Sequence, residues 1–156
     1  MVTLNEIQKF LEPRKLAIAG ASRSLKKFGG VVFNELHAKG FILYPVNPNA
    51  EEIQGVKCYK SVDELPSEVE HLLVLTPKEE TDSVIQSAIQ KGIKMIWIQQ
   101  KSETIESVKI IEEAGIPVIH NKCIMMFATP VKGVHGFHRF LTKTFGGYPK
   151  LVFSAN

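Results

Sequence analysis

Lys15-Leu16-Ala17-Ile18-Ala19-Gly20-Ala21-Ser22-Arg23, continued by Ser24-Leu25-Lys26-Lys27-Phe28-Gly29-Gly30, reads as an apolar strand that breaks at a glycine and restarts as a helix. Such a turn gathers unpaired backbone N–H groups at a helix N-terminus, which is a phosphate-binding arrangement. A missing side chain at Gly20 reads as room for the phosphates, so a bulkier residue there is expected to block the ligand and spare the fold.

Working outward, four more apolar runs follow: Ile42–Val46, Leu72–Leu75, Met95–Ile98 and Pro117–Ile119. Helical patterns lie between most of them. Strands alternating with helices predict a parallel sheet covered on both faces, and right-handed crossovers narrow the topology to an α/β, doubly wound, Rossmann-like domain with a mainly parallel five-stranded sheet. Thr3 with Glu6, Ser61 with Glu64 and Thr76 with Glu79 read as capping boxes, with Pro77 at a first helical position. Gly40, Gly92 and Gly115 stand where helices should stop. The ligand crevice of such a sheet lies at the carboxyl ends of its strands. That places Gly20, Ala21 and Ser22, then Val46, Asn47 and Pro48, then Thr76 and Pro77, then Gln99 on one rim.

The 156 residues, 44% hydrophobic and 22% charged, suit a single domain spanning 1–156, with a core over about 14–124 and a basic helical element over 125–156. The net charge of +3 is too small for a dedicated nucleic-acid binder, and no RNA-binding pattern with interleaved aromatics occurs. The charge is uneven. After Glu113 there is no acid, while Lys122, Lys132, Arg139, Lys143 and Lys150 follow; the first 113 residues hold 14 cations against 16 acids. No apolar run approaches the ~20 residues that cross a bilayer, and Met1 to Pro13 lacks the pattern of a signal peptide, so no membrane association is expected. Cys58 and Cys123 then read as reduced thiols in a cytoplasm.

A dinucleotide site is expected to read G-x-G-x-x-G and to carry an acid at the end of the second strand for the ribose hydroxyls. Here the glycines after Gly20 come only at Gly29 and Gly30. Asn47 and Pro48 occupy the place of the acid, Glu51 and Glu52 lie beyond the proline turn, and Glu35 falls mid-helix. Arg23, Lys26 and Lys27 add three cations at the phosphate end, which suits a ligand richer in phosphate than NAD; NADP and coenzyme A (CoA) both fit. His120, Cys123, His135 and His138 are spaced unlike a zinc finger, and no metal site is expected. No Ser/His/Asp order with an elbow sequence occurs, so no catalytic residue is assigned.

Ile18-Ala19-Gly20-Ala21-Ser22 with Lys27 and Gly29, Tyr44-Pro45-Val46-Asn47-Pro48, Gly55 through Ser61, Trp97-Ile98-Gln99 and Cys123 together resemble the CoA-binding domain proteins. These are single Rossmann-like domains similar to the N-terminal domain of the succinyl-CoA synthetase alpha subunit. The resemblance covers about residues 14 to 124. It implies CoA or an acyl-CoA as a small-molecule ligand, its nucleotide end against the first loop and the Val46-Asn47-Pro48 turn, with Thr76, Pro77 and the end of the fourth strand lining the pocket. It places Cys123 after the fifth strand. Ligase chemistry in that family needs a second domain with a phosphorylated histidine and a partner subunit, so binding without ligase chemistry is the expectation here. An NADP-binding, reductase-like protein is the alternative.

Overall fold

The computed structural model describes residues 2–128, and the basic element expected beyond them, with His135 and His138, lies outside the described residues. The main sheet comprises β1 (Lys15–Ala19), β2 (Ile42–Val46), β5 (His71–Val74), β6 (Met95–Gln99) and β7 (Val118–Lys122), all parallel, in the order β2-β1-β5-β6-β7. Between β2 and β5 the chain forms a small antiparallel pair, β3 (Glu52–Ile53) and β4 (Val56–Lys57).

Alternation along each strand sends side chains to two separate cores. Leu16, Ile18, Leu73, Trp97 and Ile119 meet α1 (Leu4–Leu11) and α2 (Phe28–Ala38) through Ile7, Phe10, Val32, Phe33 and Leu36. Ala17, Ala19, Leu72, Val74, Ile96 and Ile98 meet α3 (Lys78–Lys91) and α4 (Ile105–Glu113) through Ile85, Ala88 and Ile111. Trp97 is wholly buried, and its indole N–H donates to the Lys122 carbonyl at 3.1 Å, tying β6 to β7.

Two capping boxes expected from sequence do not form, and two local features were not read from it. Thr3 and Glu6 do form a capping box on α1, but Ser61 caps nothing: Val62–Glu64 is a single 3₁₀ turn, and the Glu64 carboxylate accepts from the Lys60 amide. Thr76 does not cap α3 either, because Pro77 occupies the N-cap and the Thr76 hydroxyl turns to Thr81. A box without Glu or Gln, Thr104 with Ser107, opens α4. Finally, the two-residue strands β3 and β4 are too short to show periodicity, although Gln54-Gly55 between them has positive φ at both positions, as a type I′ hairpin turn needs.

The glycines of the first loop bring backbones together. At Gly20 (φ +87°) a Cβ would stand 2.8 Å from the Leu75 carbonyl carbon and 2.9 Å from the Thr76 nitrogen, so the loop after β1 is pressed against the loop after β5. At Gly29 it would stand 1.9 Å from the Gly20 carbonyl oxygen, and at Gly30 2.1 Å from that of Ser24. A side chain at Gly20 therefore strains the fold before it reaches any ligand, contrary to the expectation from sequence. Gly20→Ala and Gly29→Ala are each expected to cost roughly 3 kcal/mol, at the upper end for overpacking, seen as a lowered urea midpoint with an unchanged m-value; wild-type midpoints would remove this account of the loop.

Candidate functional site

In this strand order the direction of winding reverses between β1 and β5, and the crevice opens there, outside the carboxyl ends of the strands. Its first wall is the turn Gly20 to Lys27. Ala21 and Gly29 are buried, so backbone is what they offer. Ser22 and Ser24 shape the turn: the Ser24 amide donates to the Ser22 hydroxyl at 3.1 Å, and the Lys26 amide to the Ser24 hydroxyl at 3.3 Å. Lys27 stands at the N-cap of α2 without a side-chain cap bond, and among the described residues nothing accepts from the Phe28 and Gly29 amides that follow. Arg23, Lys26 and Lys27 are exposed along this edge.

The second wall is the turn after β2. Val46 is a buried strand residue and Pro48 is exposed. Asn47 has both ends of its side chain committed: Nδ2 donates to the Ala21 carbonyl at 2.8 Å, and Oδ1 accepts from the Asn49 amide at 2.8 Å. This clasp fixes the second loop on the first. It also explains the missing acid physically, since a carboxylate here would face the Ala21 carbonyl with no proton to give. Tyr59 covers the outer edge of β2, its amide donating to Pro45 and its carbonyl accepting from Asn47.

Thr76, Pro77, Gln99 and Cys123 come together around a cleft of about 570 Å³, joined by Phe28, Leu75 and Met126. Sequence reading missed these last three; Met126 in particular sits in a run read as core, and Met125 and Phe127 on either side of it are indeed buried. Gln99 is only 4% exposed, and its Oε1 accepts from the Ile124 amide at 3.1 Å, which seats the 3₁₀ turn Ile124–Met126 beside the cleft.

The two cysteines differ in setting. Cys123 is half-buried on the cleft wall. Cys58 is buried behind the Asn47 turn, its thiol 3.7 Å from the Asn47 carbonyl; burial pushes its pKa above the ordinary value, against the opposing pull of Lys60 and Arg23. Among the described residues no helix is long and apolar enough to cross a membrane.

Comparison with known proteins agrees with this geometry. The CoA binding domain family matches residues 14–129. The chain is 35% identical over 147 residues to the alpha subunit of the ADP-forming acetate–CoA ligase II of Pyrococcus furiosus, covering 87% of this chain and 30% of that subunit. Among solved structures, a conserved hypothetical protein from Pyrococcus furiosus is 39% identical with a TM-score of 0.69, covering 71% of this chain and 96% of that one. A hypothetical protein from Pyrococcus horikoshii is 32% identical with a TM-score of 0.76, covering 85% and 94%. The chain spans less than a third of the length of the ligase relatives it matches, and nothing in the comparisons supports a reductase. The order of motifs from the glycine turn to Cys123, the five-stranded parallel sheet and the matched residues agree: this chain belongs to the CoA binding domain family.

Proposed function

We propose that this domain binds coenzyme A or an acyl-CoA in the crevice between β1 and β5 and performs no ligase chemistry of its own. The observation that carries the reading is the crevice's shape and polarity. Unpaired amides and exposed cations stand at the α2 end, and a largely apolar cleft leads from Phe28 to Cys123. The phosphates fit the amides of the first turn, with Arg23, Lys26 and Lys27 as counter-charges. The adenosine side fits the Asn47-Pro48 turn, and the arm fits the cleft past Thr76, Pro77 and Gln99, ending with its thiol near Cys123.

The stretch shared with the ligase relatives is less than a third of their length, and a binding role is what we assign to that shared stretch. We take the domain, with Cys58 and Cys123 as free thiols, to work in a reducing cytoplasm.

Calorimetry should show CoA binding more tightly than NADP or NAD. Lys26→Ala with Lys27→Ala should weaken CoA roughly tenfold at low salt and flatten its salt dependence, as expected for exposed charges facing phosphate; equal affinity for NADP would overturn the ligand assignment. Asn47→Asp, which installs the acid of a dinucleotide site, should create no NAD binding and cost roughly 1–3 kcal/mol of stability through the broken loop clasp, read from denaturant melts. Incubation with oxidised CoA should add one CoA to the intact mass by thiol–disulfide exchange, releasing one equivalent of free CoA. The adduct should vanish in Cys123→Ser and persist in Cys58→Ser, and an adduct on Cys58 alone would remove Cys123 from the thiol end.

A further inference from the structure

A second cavity, of about 720 Å³, lies away from the crevice, between α1, the turn that follows α2 and the end of the described residues. Leu4, Leu11 and Phe41 are part of its apolar lining, and Gln8 and Lys9 are part of its polar lining. Leu4 and Leu11 are half-buried at the border of the core that α1 shares with the sheet. Phe127 and Ala128, the last two described residues, line the cavity as well.

The chain is fixed where it passes this cavity. Lys39, its side chain only 11% exposed, donates to the Ala128 carbonyl at 3.2 Å and pairs with the Glu35 carboxylate at 3.7 Å. The Lys39 carbonyl in turn accepts from the Arg14 guanidinium, which lies over the Phe41 ring, 4.6 Å from its centre. These contacts tie Ala128 to the turn after α2 and to the residue that leads from α1 into β1. Consecutive Cα atoms are about 3.8 Å apart, so the chain beyond Ala128 begins at the cavity wall.

The sequence beyond that point carries a matching face. Val134, Phe137, Leu141 and Phe145, with Phe140 beside them, recur at helical spacing, and from Thr129 to Asn156 there is no acid. As a helix, the stretch from Val134 to Phe145 would span about 18 Å, enough to lie along α1, which at the same rise spans about 12 Å. A helix as short as α1 is unstable by itself. Ile7 and Phe10 are its buried residues, Phe10 standing against the rings of His71 and Trp97 at 5.3 and 5.4 Å between centres. Its opposite side is what a second layer would hold.

We propose that the segment Val134 to Phe145 of this chain docks back on α1, sets its phenylalanines in the cavity and clamps α1 against the sheet. A tethered segment acts at an effective concentration of roughly millimolar, so it outcompetes a second copy or a partner protein for a cavity at its own point of attachment. The arrangement does not depend on what fills the crevice.

The test uses the full chain with the photo-cross-linking residue p-benzoylphenylalanine in place of Phe140 and, separately, of Phe137. Irradiation should give a monomeric product in which that position is joined to the stretch from Leu4 to Arg14 or to Phe41. Absence of that product, or cross-links only to other parts of the chain, overturns the proposal. Cross-links only between two chains also overturn it and give the cavity to another copy. Hydrogen exchange supplies a second readout. In full-length protein carrying Phe137→Ser, Phe140→Ser and Phe145→Ser, the amides of α1 should exchange roughly tenfold faster than in wild type, with those of α3 on the other face of the sheet unchanged. Wild-type exchange in α1 overturns the clamp.

Discussion

The contact on which the site depends is the one between Gly29 and the carbonyl of Gly20, too close to admit even a methyl group. It sets the first turn of α2 directly on the end of β1. A helix laid further out would satisfy the same sheet face through Val32, Phe33 and Leu36, but its N-terminal amides would no longer share a crevice with the loop after β1. Gly20 and Gly30 extend the constraint by holding that loop against the Leu75-Thr76 backbone and the helix against Ser24. A helix N-terminus attracts anions wherever it lies; here three glycines decide where it lies.

The rim is then built from polar side chains bonded to the protein itself. Asn47 ties two loops together with both of its ends and keeps none free. Gln99 and Thr76 spend one end each, on the Ile124 amide and on Thr81. Burial makes such partial commitment consequential, because an unmatched buried donor or acceptor costs more than a matched one gains. The rigidity of the rim thus comes from bonds that its polar side chains make within the chain.

What was legible in the sequence follows from what side chains record locally. The five parallel strands and the helix stops at Gly40, Gly92 and Gly115 were readable because alternation, apolar runs and positive-φ glycines are properties of a few adjacent residues. The rim could be named because strand ends follow from strands. The reason for Gly20 was not readable, since the atoms that exclude a side chain belong to Leu75 and Thr76, more than fifty positions away. The same holds for Thr76, whose pattern with Glu79 reads as a cap until Thr81 and Ser102 are seen to claim its hydroxyl network. The box at Thr104 escaped because Ser107 stands where Glu or Gln is the usual signal.

The crevice is also graded in charge, and the two cysteines mark its ends. Near the Asn47 turn, Arg23 and Lys60 both act on Cys58, yet burial outweighs them and keeps that thiol protonated to higher pH. A protonated, buried thiol is a poor nucleophile, so the cationic end holds a sulfur that packs. At the far end Cys123 lies on the wall of a cleft that Phe28, Leu75 and Met126 line with Gln100, Lys101 and Ser102. A ligand with several phosphates at one end and a thiol at the other has one favourable direction in such a gradient. Reversing it would set the phosphates in the mostly apolar cleft, where Lys101 is the one cation among the described lining residues, in place of the three exposed cations at the first turn. Orientation is therefore set by the two ends of the crevice.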